Sequence, residues 1–595
     1  MKRINTDQYN WADPYRSVRS VSLSYFQEMT ITTSYQVILA TVGPSLGSVV
    51  ARQRPIGRIG GLVGSRDSQA LSRLVLALGP GGQILGTARF IGDFDCCWLD
   101  GRVVASEEDW LRLLDAGRLG EVEGAFAIAW READRLYLAR DAIGERSLFY
   151  ALLPEGIVFA STVRALLATG LIQRKLHLPG LVSYLTYAYL PGRETLVEGV
   201  HELLPGERIE IRDGNIHHAS FWSLPPEPRE WADEETLRQE LRGRLGEAVR
   251  RRLPSGESVG VFLSGGLDSS LVVALARQLH DAPIHTYSVS FGPEHANELP
   301  FSSLVAEHCR TTHRIVEVSP AAVLRYLDES IALLSDPIGD PLTVPNALLF
   351  REASSEVGVV LNGEGGDPCF GGPKNLPMLL AELYDTPGDT GRTRERAYLR
   401  AHQKCYDDLG AMLTPEMAAR LADLALEDRL TGHFRDPRWR GFVSKLQAIN
   451  VTFKGGHHIL PKVEAESAPF GVLPRSPLFD RAVVESSFAI PPQLKLRGSV
   501  EKYLLKQAVR DLLPPVILDR PKSGMLVPVE GWFRGPLKAH ARERLMDGLA
   551  SYRLFRPDYL ERLLDGRLGG HRPRHGAKVW LLLTLEAWLR TVFAG

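Results

Sequence analysis

Cysteine is scarce in this chain: five stand among 595 residues, at positions 96, 97, 309, 369 and 405. None belongs to a Cys-x-x-Cys pair, which excludes a disulfide-stapled fold and the usual zinc spacings. A sparse, odd set reads as reduced thiols in a cytoplasmic protein. Excess charge of one sign is also missing. The 70 basic and 71 acidic side chains leave a formal net charge of −1, so no overall field exists for nucleic acid or an anionic membrane. No apolar run is long enough to span a bilayer. The start, MKRINTDQYNWADPYRS, lacks the apolar centre of a secretory signal. The histidine pairs His217–His218 and His457–His458 have no third ligand at usable spacing.

A chain of this length exceeds what one core can serve, so two or more domains are expected. With 44% hydrophobic and 24% charged residues it has the make-up of a soluble globular protein. Residues 1–55 form an unassigned N-terminal extension with a β-rich stretch at Thr30–Leu39. From Gly57 to Trp222 short apolar runs alternate with Gly and Asp, as in Gly124–Trp130, Arg135–Ala139 and Gly156–Ala160. Such runs predict strands of stacked sheets. Three prolines in Ser223–Arg229 mark a linker. The domains therefore divide at 56–225 and 226–595. Asp233–Arg252 predicts an amphipathic helix through Leu237, Leu241, Leu245 and Val249.

The most informative segment follows. Val259–Leu263 reads as a strand, Ser264–Asp268 as a turn, Ser269–Gln278 as a helix and Ile284–Phe291 as another strand. That order implies a parallel α/β sheet. The turn, SGGLDSS over Ser264–Ser270, has the chemistry of an anion cradle. Gly265 and Gly266 let backbone N–H groups converge, and the next helix adds its unpaired N–H groups and positive end. Ser264, Ser269 and Ser270 supply hydroxyls; Leu267 completes the loop. Asp268 would repel phosphate unless it holds a cation, and Mg²⁺ takes one or two carboxylates together with phosphate oxygens. A capped Ser/Gly turn is the plain alternative.

SGGLDSS after GVFL resembles the pyrophosphate loop of the asparagine synthetase family, and no GKS or GKT follows to make it a Walker loop. Asp336–Pro341 (DPIGDP), Asn362–Gly372 (NGEGGDPCFGG), Arg475–Asp480 (RSPLFD), Glu501–Leu505 (EKYLL) and Arg520–Lys522 (RPK) fall in the family's order. The resemblance implies an N-terminal-nucleophile-type β-sandwich, then a parallel-sheet PP-loop ATP pyrophosphatase domain with a helical C-terminal part. It implies a carbon–nitrogen ligase that splits ATP into AMP and pyrophosphate with Mg²⁺ on Asp268 and Asp367. Catalytic roles fall to Lys502 and Glu364. Backbone contacts to the nucleotide fall to Leu263, Val289 and Gly363, with Lys522 near pyrophosphate. On composition alone Lys502 is a solvated helix lysine; with the resemblance it is expected to serve catalysis more than folding, so that its removal leaves melting almost unchanged while amide formation collapses.

The family's glutaminase uses an N-terminal cysteine whose α-amine is the base. Here the fabric remains, in Gly124–Trp130, Ala139–Gly144, Phe159–Ser161 and Leu203–Gly206, but the chemistry does not. Position 2 is lysine, the counterpart of the first strand is Gly57–Val63 without cysteine, and the glutamine clamp reads Asp100-Gly101-Arg102. This resembles the branches of lasso-peptide cyclases and β-lactam synthetases, in which an amine of the substrate attacks the acyl-adenylate. Expected partners are ATP and a carboxylate-bearing small molecule or precursor peptide, with a leader-binding protein or protease, and neither nucleic acid nor membrane. The alternatives are an asparagine synthetase or amidoligase using a free amine, and an inactive nucleotide- or peptide-binding scaffold. Asp367-Pro368 in place of Asp-Glu, and LPKVEAE (Leu460–Glu466) in place of Lys-x-Asp-Arg, depart from the family at the acyl side. Purified protein should release no glutamate from glutamine; release abolished by replacing Cys96 or Cys97 would overturn this account of the N-terminal domain.

Overall fold

The computed structural model describes residues 2–5, 58–63, 68–78, 83–84, 88–154, 156–212, 215–295, 298–372, 392–402, 404–520, 525–569 and 574–594. Thr30–Leu39 and Lys522 lie outside these residues. The first half of the molecule is two stacked sheets. In one, Ile59–Val63 sits between Gln83–Ile84 and Gly156–Ala160, with Phe149–Leu153 and Val200–Glu202 beyond. The other runs Asn215–Ser220, Glu207–Arg212, Arg135–Arg140, Glu123–Glu132, Phe90–Leu99 and Arg102–Val103, antiparallel throughout.

Successive strand side chains face opposite ways, and Glu123–Glu132 is covered on both faces. Ala127 and Ala129 meet Ile59, Tyr150 and Phe159 between the sheets. Phe126, Ile128 and Trp130 pack on the outer side with Trp110, Leu113 and Leu114 of the helix Glu107–Asp115. The strand-like texture of Gly57–Trp222 hides this helix, although Ser106-x-x-Asp109 spells its capping box: the Ser106 hydroxyl accepts from the Asp109 amide at 3.1 Å.

The second half is organised by a parallel sheet in the order Lys2–Asn5, Thr312–Glu317, Ile284–Ser290, Val259–Phe262, Val359–Leu361, Leu473–Arg475. Part of the unassigned extension thus supplies an edge strand. From Val259–Phe262 the chain builds outward on one side, then returns to add Val359–Leu361 and Leu473–Arg475 on the other. That reversal opens a crevice at the carboxyl end of Val259–Phe262, where open α/β sheets take their ligands. The helix Glu234–Arg252 begins where Asp233 accepts from the Thr236 amide at 3.0 Å, and its Leu237, Leu241, Leu245 and Val249 are all buried. Past Leu361 the chain is mostly helical and closes on His575–Trp588, buried on nearly every side. No helix among the described residues is long and apolar enough to cross a membrane.

The two halves meet through buried charge. Arg140, fully buried, reaches Glu202 at 2.7 Å and the Gly456 carbonyl at 3.0 Å, while Glu202 also holds His457 at 2.7 Å. Arg146 pairs with Asp93, Arg252 with Glu145 and Asp480, and Arg475 with Asp95. A small cavity of about 40 Å³ beside them is lined by Asp93, Ser161, Asp336 and Glu464, among others.

Asp336 accepts the Leu196 N–H at 2.8 Å. Burial nevertheless pushes its carboxyl up to about 8, and Glu202 adds to the rise. A carboxyl raised in the folded state binds its proton more tightly there than in the unfolded chain. Its contribution is therefore whole below about pH 4 and is lost as pH climbs towards 8. Asp336→Asn, which keeps the acceptor and cannot ionise, should gain in Tm over wild type progressively from pH 5 to pH 8. A gain that does not change with pH would mean that Asp336 is not held neutral.

Candidate active site

The loop that leaves Val259–Phe262 tightens at once. Ser264 and Ser269 approach at 3.0 Å between hydroxyls, and the Ser269 hydroxyl accepts the Ser264 N–H at 3.1 Å. The helix starts two residues earlier than its sequence pattern suggests, spanning Leu267–Leu279 with Gly266 before it. Asp268, Ser269 and Ser270 therefore occupy its first turn, where the dipole favours an anion. Gly265 is required by geometry: at φ +81° a Cβ there would lie 2.5 Å from the Ser302 nitrogen.

A second loop, Asn362–Asp367, crosses the first at contact distance. A Cβ on Gly363 would lie 2.5 Å from the Ser269 nitrogen, and one on Gly366 2.2 Å from the Asp268 carboxyl carbon. Both glycines let the two backbones meet, which brings Asp268 and Asp367 together. Between them stands Lys502, its Nζ 2.5 Å from an oxygen of each. Lys502 departs from the expectation of a solvated helix residue. It is 3% exposed and precedes the helix Tyr503–Ala508 in left-handed conformation at φ +53°. Burial works against its charge, yet the two carboxylates outweigh it and hold the ammonium protonated above the usual lysine range.

Two carboxylates converging on a shared cation form a donor set that suits Mg²⁺ completed by phosphate oxygens. No cluster of three or more potential ligands exists among the described residues. The expected backbone contacts also face this space. Leu263 and Val289 end neighbouring strands, Gly363 lies opposite, and the Ser288 hydroxyl donates to the Leu263 carbonyl. Together these residues line an open cleft of about 1220 Å³.

Glu364 lines the same cleft, its N–H donating to Asn362 Oδ1 at 3.0 Å. Burial raises its carboxyl above the ordinary range against the pull of Lys462 and Lys454. Around it are residues the sequence pattern does not single out. Lys454 and Asn346 line the cleft. Lys462, buried, binds Asp340 of the DPIGDP segment at 2.5 Å, and His458 lies 3.5 Å from the same carboxylate. Burial opposes the Asp340 charge, but Lys462 and His458 hold the carboxyl well below its usual range. The segment LPKVEAE thus contributes Lys462 to a buried ion pair with Asp340. Arg520 is the described member of its RPK segment. It reaches the Gly265 carbonyl at 3.3 Å and Glu298 at 2.5 Å while stacking 3.9 Å over the Phe301 ring.

The described part of the first sheet bears on the expected loss of glutaminase chemistry. Ile59–Val63 carries no cysteine, and a Cβ on Gly60 would come within 3.1 Å of Leu78 and 3.2 Å of the Phe159 carbonyl. Cys97 is buried, and burial pushes the Cys96 thiol up to about 12, far from a reactive thiolate.

The family model described as asparagine synthase matches residues 240–590, and one described as a glutamine amidotransferase domain matches residues 115–222. Asparagine synthetase (glutamine-hydrolyzing) 1 of Bacillus subtilis is 25% identical over 496 residues, covering 79% of this chain and 77% of that protein. A putative asparagine synthetase (glutamine-hydrolyzing) of Mycobacterium tuberculosis is 26% identical over 505 residues, with the shares 79% and 77%. Amidase chry2 of Gibberella zeae is 23% identical over 526 residues, 76% of each chain.

Removing one partner of a buried ion pair typically costs about 3 kcal/mol or more. Lys502→Ala should therefore melt well below wild type in metal-free buffer, unlike a solvated lysine. Mg²⁺ should restore part of the loss by pairing the carboxylates again. Thermal unfolding with and without Mg²⁺ checks this, and a variant indifferent to the metal would remove Asp268 and Asp367 as its ligands.

Proposed function

The chain belongs to the asparagine synthase family, and from that premise we propose that it activates a carboxylate as an acyl-adenylate and condenses it with an amine of the same substrate. The observation that carries the reading is the convergence of Asp268, Asp367 and Lys502 beside a pyrophosphate-type loop that has no Walker lysine. Mg²⁺ bound by the two aspartates would neutralise charge on the phosphates. The loop N–H groups, with Ser264, Ser269 and Ser270, would hold the anion, while Leu263, Val289 and Gly363 would border the nucleoside; the family resemblance assigns pyrophosphate contact to Lys522.

In the first step a carboxylate oxygen bonds to the α-phosphorus, the α–β bridging bond breaks and pyrophosphate leaves. In the second, the amine adds to the activated carbonyl, AMP departs, and Glu364 receives the proton released by nitrogen. Lys502 stands where it can balance the negative charge that grows in both steps.

The absence of a usable cysteine on Ile59–Val63 favours an internal amine over ammonia from glutamine. The cleft, at about 1220 Å³, is larger than the sites of about 300–1000 Å³ typical of single small ligands. Macrolactam closure of a precursor peptide, as in lasso-peptide cyclases, fits both features, and a leader-binding protein or protease would accompany it. The five free thiols fit a reducing, cytoplasmic setting. Synthesis of asparagine from aspartate and ammonia is the second reading, favoured by the names of the relatives.

ATP incubated with Mg²⁺, enzyme and a carboxylate panel that includes L-aspartate with ammonium and candidate precursor peptides should yield AMP and pyrophosphate. ADP and orthophosphate as the products would refute the assignment. Asparagine as the only amide formed would replace ring closure by the second reading.

A further inference from the structure

None of the described residues lining the cleft belongs to the stacked-sheet half, yet that half reaches Glu364 through a short chain of contacts. Asp95 grips the Arg475 guanidinium with both oxygens, at 2.7 and 2.9 Å. The Arg475 carbonyl accepts the Asn362 N–H at 3.1 Å, and Asn362 Oδ1 accepts the Glu364 N–H at 3.0 Å. Arg475 and Asn362 are 9% and 4% exposed, so neither has water as a substitute partner.

Local backbone geometry aims Asp95 at its target. The register between Phe90–Leu99 and Glu123–Glu132 slips between Asp95 and Trp98, and Cys96 adopts φ +51°. Such bulges turn a side chain out of the regular alternation. Gly124 accommodates the bulge: at φ +125°, a Cβ there would lie 2.3 Å from the Cys96 carbonyl oxygen. A second fork steadies the same segment. Arg475 donates to the Arg252 carbonyl at 2.5 Å, and Arg252 is held by Glu145 at 2.8 Å and by Asp480. Gly365 in turn rests on the Leu478 carbonyl, where its Cβ would lie 2.8 Å away.

We propose that the stacked-sheet domain acts as a template for the synthetase site, with Asp95 as the positioning residue that holds Glu364 in place through Arg475 and Asn362. A bidentate pair of this kind fixes direction as well as distance, and reacting groups tolerate displacements of only about 1 Å before rate suffers. This gives a domain without its own nucleophile a present role. It rests on the reading of Glu364 as the group that receives the amine proton.

Hydrogen exchange by mass spectrometry on the full chain, with Mg²⁺ and a non-hydrolysable ATP analogue as the probe, tests the template directly. Asp95→Asn and Arg475→Gln should each speed exchange across Asn362–Asp367 by about tenfold or more, and the double variant should add little, as expected for one coupled pair. Asp95→Glu, which keeps the charge, should recover much of the protection. Asp100→Asn, at an exposed pair with Arg118, should leave it unchanged. Wild-type exchange over Asn362–Asp367 in Asp95→Asn would overturn the proposal. So would loosening that spreads equally through Val259–Phe262, because that would make Asp95 a general support. If instead Glu364→Gln keeps full AMP-forming turnover, the functional reading of Glu364 fails while the exchange result stands.

Discussion

Two aspartates that would repel one another are held together by a single buried ammonium. Asp268 starts a helix after the central strand, and Asp367 starts a short one after its neighbour. Lys502 arrives from more than 130 residues further along to sit 2.5 Å from each. Like charges at such separation are costly in a low-dielectric site unless a cation lies between them. Much of the surrounding geometry serves that meeting. Gly363 and Gly366 let the two loops touch, Gly265 lets the first loop turn, and the left-handed backbone at Lys502 swings its side chain inward. Under the proposed function such a site would take phosphates together with a divalent cation, because each supplies the charge that the other lacks.

The interface between the halves follows a different logic. Its core is a set of buried polar contacts: Arg140 to the Gly456 carbonyl, Glu202 to His457, Arg252 to Glu145, and the bidentate pair of Arg475 with Asp95. Buried pairs are weak sources of net stability compared with packed hydrocarbon, but they are intolerant of misalignment. A hydrocarbon interface would allow the halves to slide by a fraction of an ångström at little cost, whereas a bidentate guanidinium–carboxylate pair allows far less. The same segments also carry residues that meet Asp340 beside Glu364. Gly456 and His457 immediately precede His458 on one wide helical stretch, and Glu464 stands two residues from Lys462 on the helix Leu460–Ser467. Register between the halves is therefore register within the site.

Much of this was legible in the chain itself. The run from Val259 to Gln278 contains a strand, a turn and a helix in one uninterrupted stretch, and local rules suffice for it: apolar alternation stops, two glycines intervene, and helical periodicity begins. Asp233 announces its helix in the same way, and Ser106 and Asp109 announce another inside a region of strand-like texture. Resemblance to a known family extended the reading to Glu364, Asp367 and Lys502, whose positions in space no local pattern reveals. The charged residues behind the acyl side were not legible. Asp340 and Lys462 are separated by 122 residues, and a lysine in a helix looks the same whether it meets solvent or a buried carboxylate.

The strand–turn–helix order of Val259–Gln278 and the glycine-bearing loop inside it follow from sequence alone, because they depend on propensity, periodicity and glycine placement within a few tens of residues. The crevice at the end of Val259–Phe262 needed the reversal of strand order in the folded sheet. That Ile59–Val63 carries no cysteine is likewise a property of the chain. Tertiary structure alone decided that Lys502 is a buried bridge and not a surface charge, that Arg520 braces the loop, and that Asp95 connects with Glu364. Each of these depends on which distant segments share a low-dielectric space. Charge in such a space is governed by its neighbours, and neighbours more than a hundred residues apart are chosen only when the whole chain packs.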